Sequence, residues 1–190
     1  MHSIRIATIA LGVLYAASSE SRPADVKASV NRTSSGERVV SVEATFSQPP
    51  SSIWTWFSDE QRLKCWIAPV VRLNLKVGGT LQTNYTKTAA IGDAGTIALD
   101  ILNYVEPEIL TFKVKLNDTF SERLQSEDGN LQEIIQLQRL PNGGTRMVSS
   151  MVGWGAGDDW DKAVAFFARG NEWTYKNLAT CVGGGRPSFE

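Results

Sequence analysis

GWGAGDDWDKAVAFFARGNEWTYKNLATCV, residues Gly153 to Val182, is the one long stretch of this chain that keeps a helical apolar period. Trp160, Ala163, Val164, Phe167, Gly170, Thr174, Leu178 and Cys181 follow the spacing of a single buried stripe, and Phe166 and Trp173 extend it on one flank. Asp158 or Asp159 is placed to cap the helix N-terminus, and Asp161 adds charge that favours its dipole. Gly170 reads either as a point of close approach for the sheet or a ligand, or as a tolerated packing glycine. Asn171 lies next to the apolar face, where it presents its amide to a pocket or merely borders the stripe.

Upstream of this helix the chain reads mostly as strands. In RVVSVEATFS (Arg38–Ser47), Val40, Val42, Ala44 and Phe46 alternate with polar residues, as a half-buried strand requires. Gln48-Pro49-Pro50 ends it, because proline cannot donate to a ladder. Ser51 or Ser52 then caps a short helix, IWTWFS, and Ser58 or Asp59 a second, EQRLKCW. Strands follow over Val70–Leu75, Thr80–Thr86, Gly95–Val105, Ile109–Leu116, Glu133–Leu140 and Thr145–Val152. The pairs Gly78-Gly79 and Gly143-Gly144 mark hairpin turns, and Asn117–Asn130 reads as a polar loop. A long amphipathic helix after such a run of strands implies a curved sheet wrapped on the helix, with a pocket between them.

The 190 residues suffice for one domain with a sizeable core. A net charge of −1 without a basic stripe gives no support for nucleic-acid binding. No segment reaches the roughly 18–20 consecutive apolar residues of a membrane span, so no stable membrane insertion is expected after signal cleavage. The apolar run IATIALGVLYAA (Ile6–Ala17) has the form of a signal-peptide core, and residues 1–19 are read as a signal peptide; the other reading is a buried helix or first strand. Cleavage would make the protein exported, periplasmic or secreted; without it the chain is expected in the cytoplasm. Residues 20–37 read as a flexible lead-in, 38–182 as the domain, and 183–190 (GGGRPSFE) as a disordered tail.

His2 is the only histidine, so the mature chain would have none. That excludes Ser-His-Asp and Cys-His catalysis and removes the commonest transition-metal ligand. No metal and no cofactor is expected, and two cysteines fall short of a structural zinc set. After export, Cys65 and Cys181 are a candidate disulfide; in the cytosol they would be two separate buried thiols. The sequons at Asn31, Asn84 and Asn117 would matter only in a eukaryotic secretory pathway.

Four segments carry a resemblance to a known family. VEATFSQPPSSIWTWFSDEQRLKCWIAP (Val42–Pro69) is similar to a strand, paired-helix and tryptophan opening, and LKVGGTLQ (Leu75–Gln82) to a glycine-pair hairpin. GTIALDILNYVEPEILTF (Gly95–Phe112) matches a strand, proline turn and strand, and GWGAGDDWDKAVAFFARGNEW (Gly153–Trp173) a closing Gly-Trp, acidic turn and aromatic helix. In this order they resemble the heat-shock chaperone ATPase activator-like branch of the SRPBCC, or START-like, superfamily, over about Arg38 to Val182. The resemblance implies an α+β helix-grip fold, as in birch-pollen-allergen-like proteins: a bent antiparallel sheet around a long C-terminal helix, with two short helices after the first strand. It also implies that Cys65 approaches Cys181, because the short helices of that fold lie near the C-terminal part of the long one.

The leading expectation for function is a binder or carrier of an apolar, lipid-like small molecule. Trp66, Tyr85, Phe112, Met147, Met151, Trp154, Phe167 and Asn171 are the expected cavity wall, or else the filling of a dry core. An alternative is a cyclase- or hydratase-like enzyme on an aromatic or polyketide-like substrate, which needs a buried acid or base. Among Glu43, Tyr85, Asp100 and Tyr104, Asp100 is the best suspect, because both faces of its strand look apolar; a solvent-facing carboxylate is the plainer reading. A chaperone-associated interaction module is the further alternative that the resemblance carries.

Overall fold

The computed structural model describes residues 25–189, so the signal segment expected over 1–19 lies outside the described residues. Among these residues one antiparallel sheet is built from β1 (Lys27–Arg32), β2 (Arg38–Phe46), β3 (Val70–Leu73), β4 (Thr80–Asn84), β5 (Ile97–Val105), β6 (Ile109–Val114), β7 (Gln132–Arg139) and β8 (Thr145–Val152). Their spatial order is β1-β2-β8-β7-β6-β5-β4-β3. Helices α1 (Pro50–Ser58) and α2 (Glu60–Trp66) fill the crossover from β2 to β3, α3 (Glu122–Glu127) lies between β6 and β7, and α4 (Asp158–Val182) follows β8. No helix among the described residues is long and apolar enough to cross a membrane.

Strand phase decides what faces α4. Val40, Val42, Ala44 and Phe46 of β2, Leu110, Phe112 and Val114 of β6, and Thr145, Met147, Ser149 and Met151 of β8 are all buried, while their neighbours are more exposed in most cases. The expected alternation of Arg38–Ser47 is therefore observed, ending at Phe46. Gly153, just after β8, has φ 85°, and a Cβ there would stand 1.9 Å from the Asn130 carbonyl oxygen. Glycine at 153 is thus required by backbone approach at the point where the chain leaves the sheet.

Five local expectations are corrected. Lys27–Arg32 was expected in the flexible lead-in but pairs with β2 from Lys27↔Glu43 to Arg32↔Arg38. Its side chains are nearly all exposed, so ladder hydrogen bonds form this strand and no apolar alternation announces it. The polar loop after β6 contains α3, whose N-cap Ser121 accepts from the Leu124 amide. Asp59 caps α2 as expected, whereas α1 begins at Pro50 with no side-chain cap, and Gly157 stands at the N-cap of α4 ahead of Asp158, Asp159 and Asp161. On α4 itself, Phe166 and Trp173 are 49% and 41% exposed, while Tyr175 and Asn177 are buried. Thr174, expected in the stripe, is only partly buried, and Tyr175 beside it is buried. Among the described residues beyond α4 there is no regular structure, and Phe189 rests on Trp173 with ring centroids 6.1 Å apart.

Two apolar clusters hold α4. The larger contains Tyr175, Leu178 and Cys181 together with Phe57, Leu63 and Trp66 of the short helices and the inner faces of most strands. The smaller contains Trp160, Ala163 and Val164 with Val40, Val114, Leu131 and Met151. Each large side chain buried there is worth about 1.5–3 kcal/mol relative to exposure. Polar ties reinforce the N-terminal end: Arg38 of β2 ion-pairs with Asp161 and donates to the Gly155 carbonyl, and the Trp160 indole donates to Glu127 at 2.7 Å. At the other end Cys65 of α2 and Cys181 of α4 form a disulfide across 116 residues, Cα–Cα 6.2 Å.

Two measurements follow from this arrangement. Denatured, unreduced protein is expected to show no reactive thiol, and Cys65→Ala/Cys181→Ala should lower unfolding free energy by up to about 4–5 kcal/mol in denaturant titration. Gly170 has ordinary helical surroundings, and a Cβ there meets nothing within 4 Å. Gly170→Ala should therefore stabilise the protein by about 0.5–1 kcal/mol, and a loss of stability would show a close approach that the structure lacks.

Candidate ligand-binding cavity

Between its two fastened ends, α4 stands off the sheet. Phe167, Asn171 and Thr174, in the middle of the helix, are only partly buried and face a cavity of about 240 Å³. Leu81, Leu99, Phe112, Val114, Ile135 and Met151 form its sheet side. Phe57, Leu63 and Trp66 of the short helices close one side. The chain after β6 closes another: the Phe120 ring stacks on Phe167 at 5.6 Å and meets Phe166 edge-on at 5.5 Å.

Of the residues expected from sequence, Trp66, Tyr85, Phe112, Met151, Phe167 and Asn171 do come together in this wall. Tyr85 remains 43% exposed while contributing to it. Met147 and Trp154 do not line the cavity. Met147 is fully buried in the larger cluster. Trp154 stands behind the wall, its ring 5.6 Å from Phe167 and its indole donating to the Met151 carbonyl at 2.9 Å. Asp100 also lies outside: Leu99 and Ile101 supply the inward phase of β5, and Asp100 pairs with Lys115 at 2.5 Å. Glu43 is bound by Arg146 through two contacts of 2.6 Å.

The polar centre of the cavity was not anticipated. Glu133 of β7 is in phase with Ile135 and Leu137, and its cross-strand partners are Phe112 and Met151. Glu133 Oε1 accepts from the Tyr175 hydroxyl at 2.7 Å and from the Ser149 hydroxyl at 2.6 Å. Tyr175 is buried and stacked on Trp66, centroids 5.8 Å apart, which fixes its phenol over the sheet. Burial, and then the negative charge of Glu133, push that phenol well above its ordinary value of 10.0. The sequence signal for Glu133 was a carboxylate in phase with an apolar strand face, matched by Ser149 between Met147 and Met151 on the neighbouring strand. Among the described residues no group of three or more His, Cys, Asp or Glu is placed to hold a metal ion.

A helix held across the concave face of a bent antiparallel sheet, with paired short helices beneath one end, is the helix-grip fold of START-like proteins. The family profile described as Activator of Hsp90 ATPase homolog 1-like protein matches residues 47–183, and the chain belongs to that family. Its architecture is similar to that of CalU16 from Micromonospora echinospora, with TM-score 0.59 and 16% identity over 88% of either chain. MLL2253 from Mesorhizobium loti gives TM-score 0.59 and 18% identity over 75% of this chain and 94% of its own. DynU16, from the dynemicin biosynthetic locus, gives TM-score 0.60 and 16% identity over 78% of this chain and 48% of its own. At such identities the likeness establishes the fold. No curated protein matches the sequence.

The Tyr175 phenol makes a pH dependence with a definite sign. Above about pH 10 an unfolded chain loses the phenol proton while the folded chain keeps it. Its contribution is therefore intact below about pH 10 and is lost as pH rises through the folded value. Wild-type melting temperature should fall more steeply above about pH 10 than that of Tyr175→Phe, which at neutral pH costs about 1–2 kcal/mol for the lost donor to Glu133. Parallel alkaline curves for the two proteins would contradict this assignment.

Proposed function

We propose that this protein binds and carries one small, mostly apolar molecule in the cavity between α4 and the sheet. The observation that carries the reading is the cavity itself: about 240 Å³ of space lined chiefly by aromatic and aliphatic side chains, in a family fold built around such a space. An apolar cavity on the order of 150 Å³ already accepts benzene, so this one has room for a bicyclic molecule. Trp66, Phe112 and Phe167 supply flat walls suited to a ring system. The apolar cavity favours a ligand-based role over a chaperone-associated one here.

A cyclase- or hydratase-like reaction is the second reading, and the Glu133–Tyr175 pair is what favours it, since a carboxylate and a phenol share a hydrogen bond inside the cavity. A carrier needs only the cavity; an enzyme needs this pair to exchange a proton with its substrate.

Displacement of an environment-sensitive dye by fatty acids, sterols and bicyclic aromatics tests the proposal. We expect one class to displace the dye, quench Trp66 and raise the melting temperature. Leu99→Trp, which fills the cavity from β5, should weaken that binding at least tenfold. Failure of every class, with no change in melting temperature, would end the carrier reading.

A further inference from the structure

Glu133 is half-committed. Oε1 holds the hydroxyls of Tyr175 and Ser149, while Oε2 receives no hydrogen bond from any described residue. No described cation makes an ion pair with it, and Lys115, the lysine of the cavity wall, is taken by Asp100 at 2.5 Å. Its row across the sheet is otherwise apolar: Ile101, Phe112, Glu133, Met151 and Val40 follow one another from β5 to β2. Glu133 is partly exposed and lines the cavity, so its second oxygen keeps its acceptor capacity for a donor on a bound molecule.

The geometry points to Glu133 Oε2 as the anchor for the ligand's head group: the cavity takes a small, flat, apolar molecule with a single hydrogen-bond donor, hydroxyl or ammonium, and disfavours acceptor-only and anionic heads. This inference rests on the carrier reading and adds the polarity of the ligand to it. An ether or ketone leaves Oε2 unpaired, and a carboxylate brings a second negative charge beside Glu133. A donor head completes the carboxylate, while the ring body lies against Trp66, Phe112 and Phe167.

Calorimetric titration of the full chain with 2-naphthol, 2-methoxynaphthalene, 2-naphthoate and 2-(aminomethyl)naphthalene tests it, since the four share a ring and differ in the head. The naphthol or the amine should bind at least about tenfold tighter than the ether, the size expected of a charge-assisted hydrogen bond, with the naphthoate weaker still. Whichever donor binds tighter identifies the neutral or the charged source of the head. Glu133→Gln keeps an acceptor for Tyr175 and Ser149 but replaces the second oxygen by an amide donor, so the ether should gain on the naphthol. Equal affinities across the set in the wild type, measured without any variant, overturn the inference and leave the carrier standing. If none of the four binds while another class displaces the dye, the head-group inference fails alone; if nothing binds at all, both fail.

Discussion

Helix α4 is fastened to the sheet at two separate places, and the span between them cannot descend without disturbing one or the other. At its C-terminal end Tyr175, Leu178 and Cys181 are sunk among Phe57, Leu63 and Trp66, with the Cys65–Cys181 bond as a covalent tie. At its N-terminal end Trp160, Ala163 and Val164 are sunk against Val40, Leu131 and Met151, and Arg38 and Glu127 hold the first turn through Asp161 and Trp160. Close packing would ordinarily collapse a void of this size, because lining atoms without partners forfeit dispersion contacts. Here collapse would require moving two buried clusters, so the cavity persists as a consequence of the grip.

The same fastening explains how a carboxylate comes to stand in an apolar row. Tyr175 belongs to the C-terminal attachment, and its ring is set by stacking on Trp66 before its hydroxyl is considered. That fixed hydroxyl and Ser149 of β8 give Glu133 two short hydrogen bonds, which offset part of the cost of placing the group there. In return the charge of Glu133 and the burial of the ring hold the Tyr175 proton in place. Helix position, phenol and carboxylate therefore form one unit.

Much of this was legible because the period of side-chain burial is written in residue type. The seven strands of the pattern from Arg38 onward, the paired short helices and the long helix each have an apolar face that must be buried against another element. β1 was not legible, since its outward side chains carry no face and its stability resides in main-chain pairing with β2. The wall was legible where a residue type matches its role: Phe112, Phe167 and Trp66 are large, apolar and correctly phased. Met147 and Trp154 have the same credentials, and only the tertiary arrangement separates the row facing the cavity from the row beneath it. The polar pair was missed for a different reason. Asp100 drew attention because its strand looked apolar on both faces, whereas Glu133 sat in the plain inward phase of β7 and could have been read from that phase alone.

The two fastened ends also limit what the cavity can admit. A molecule wider than the space must lift α4, and lifting it strains the attachment at Trp66 and Tyr175, which the disulfide restrains, or the one at Trp160, which Arg38 and Glu127 restrain. The chain carrying Phe120 meets α4 through ring contacts with Phe166 and Phe167. Such ring contacts are worth about 0.5–1.5 kcal/mol each beyond their burial, far less than either helix attachment. Displacing Phe120 thus leaves the grip intact, while spreading α4 from the sheet does not. In the proposed carrier, the two helix attachments set the limit on size and Glu133 meets the head group.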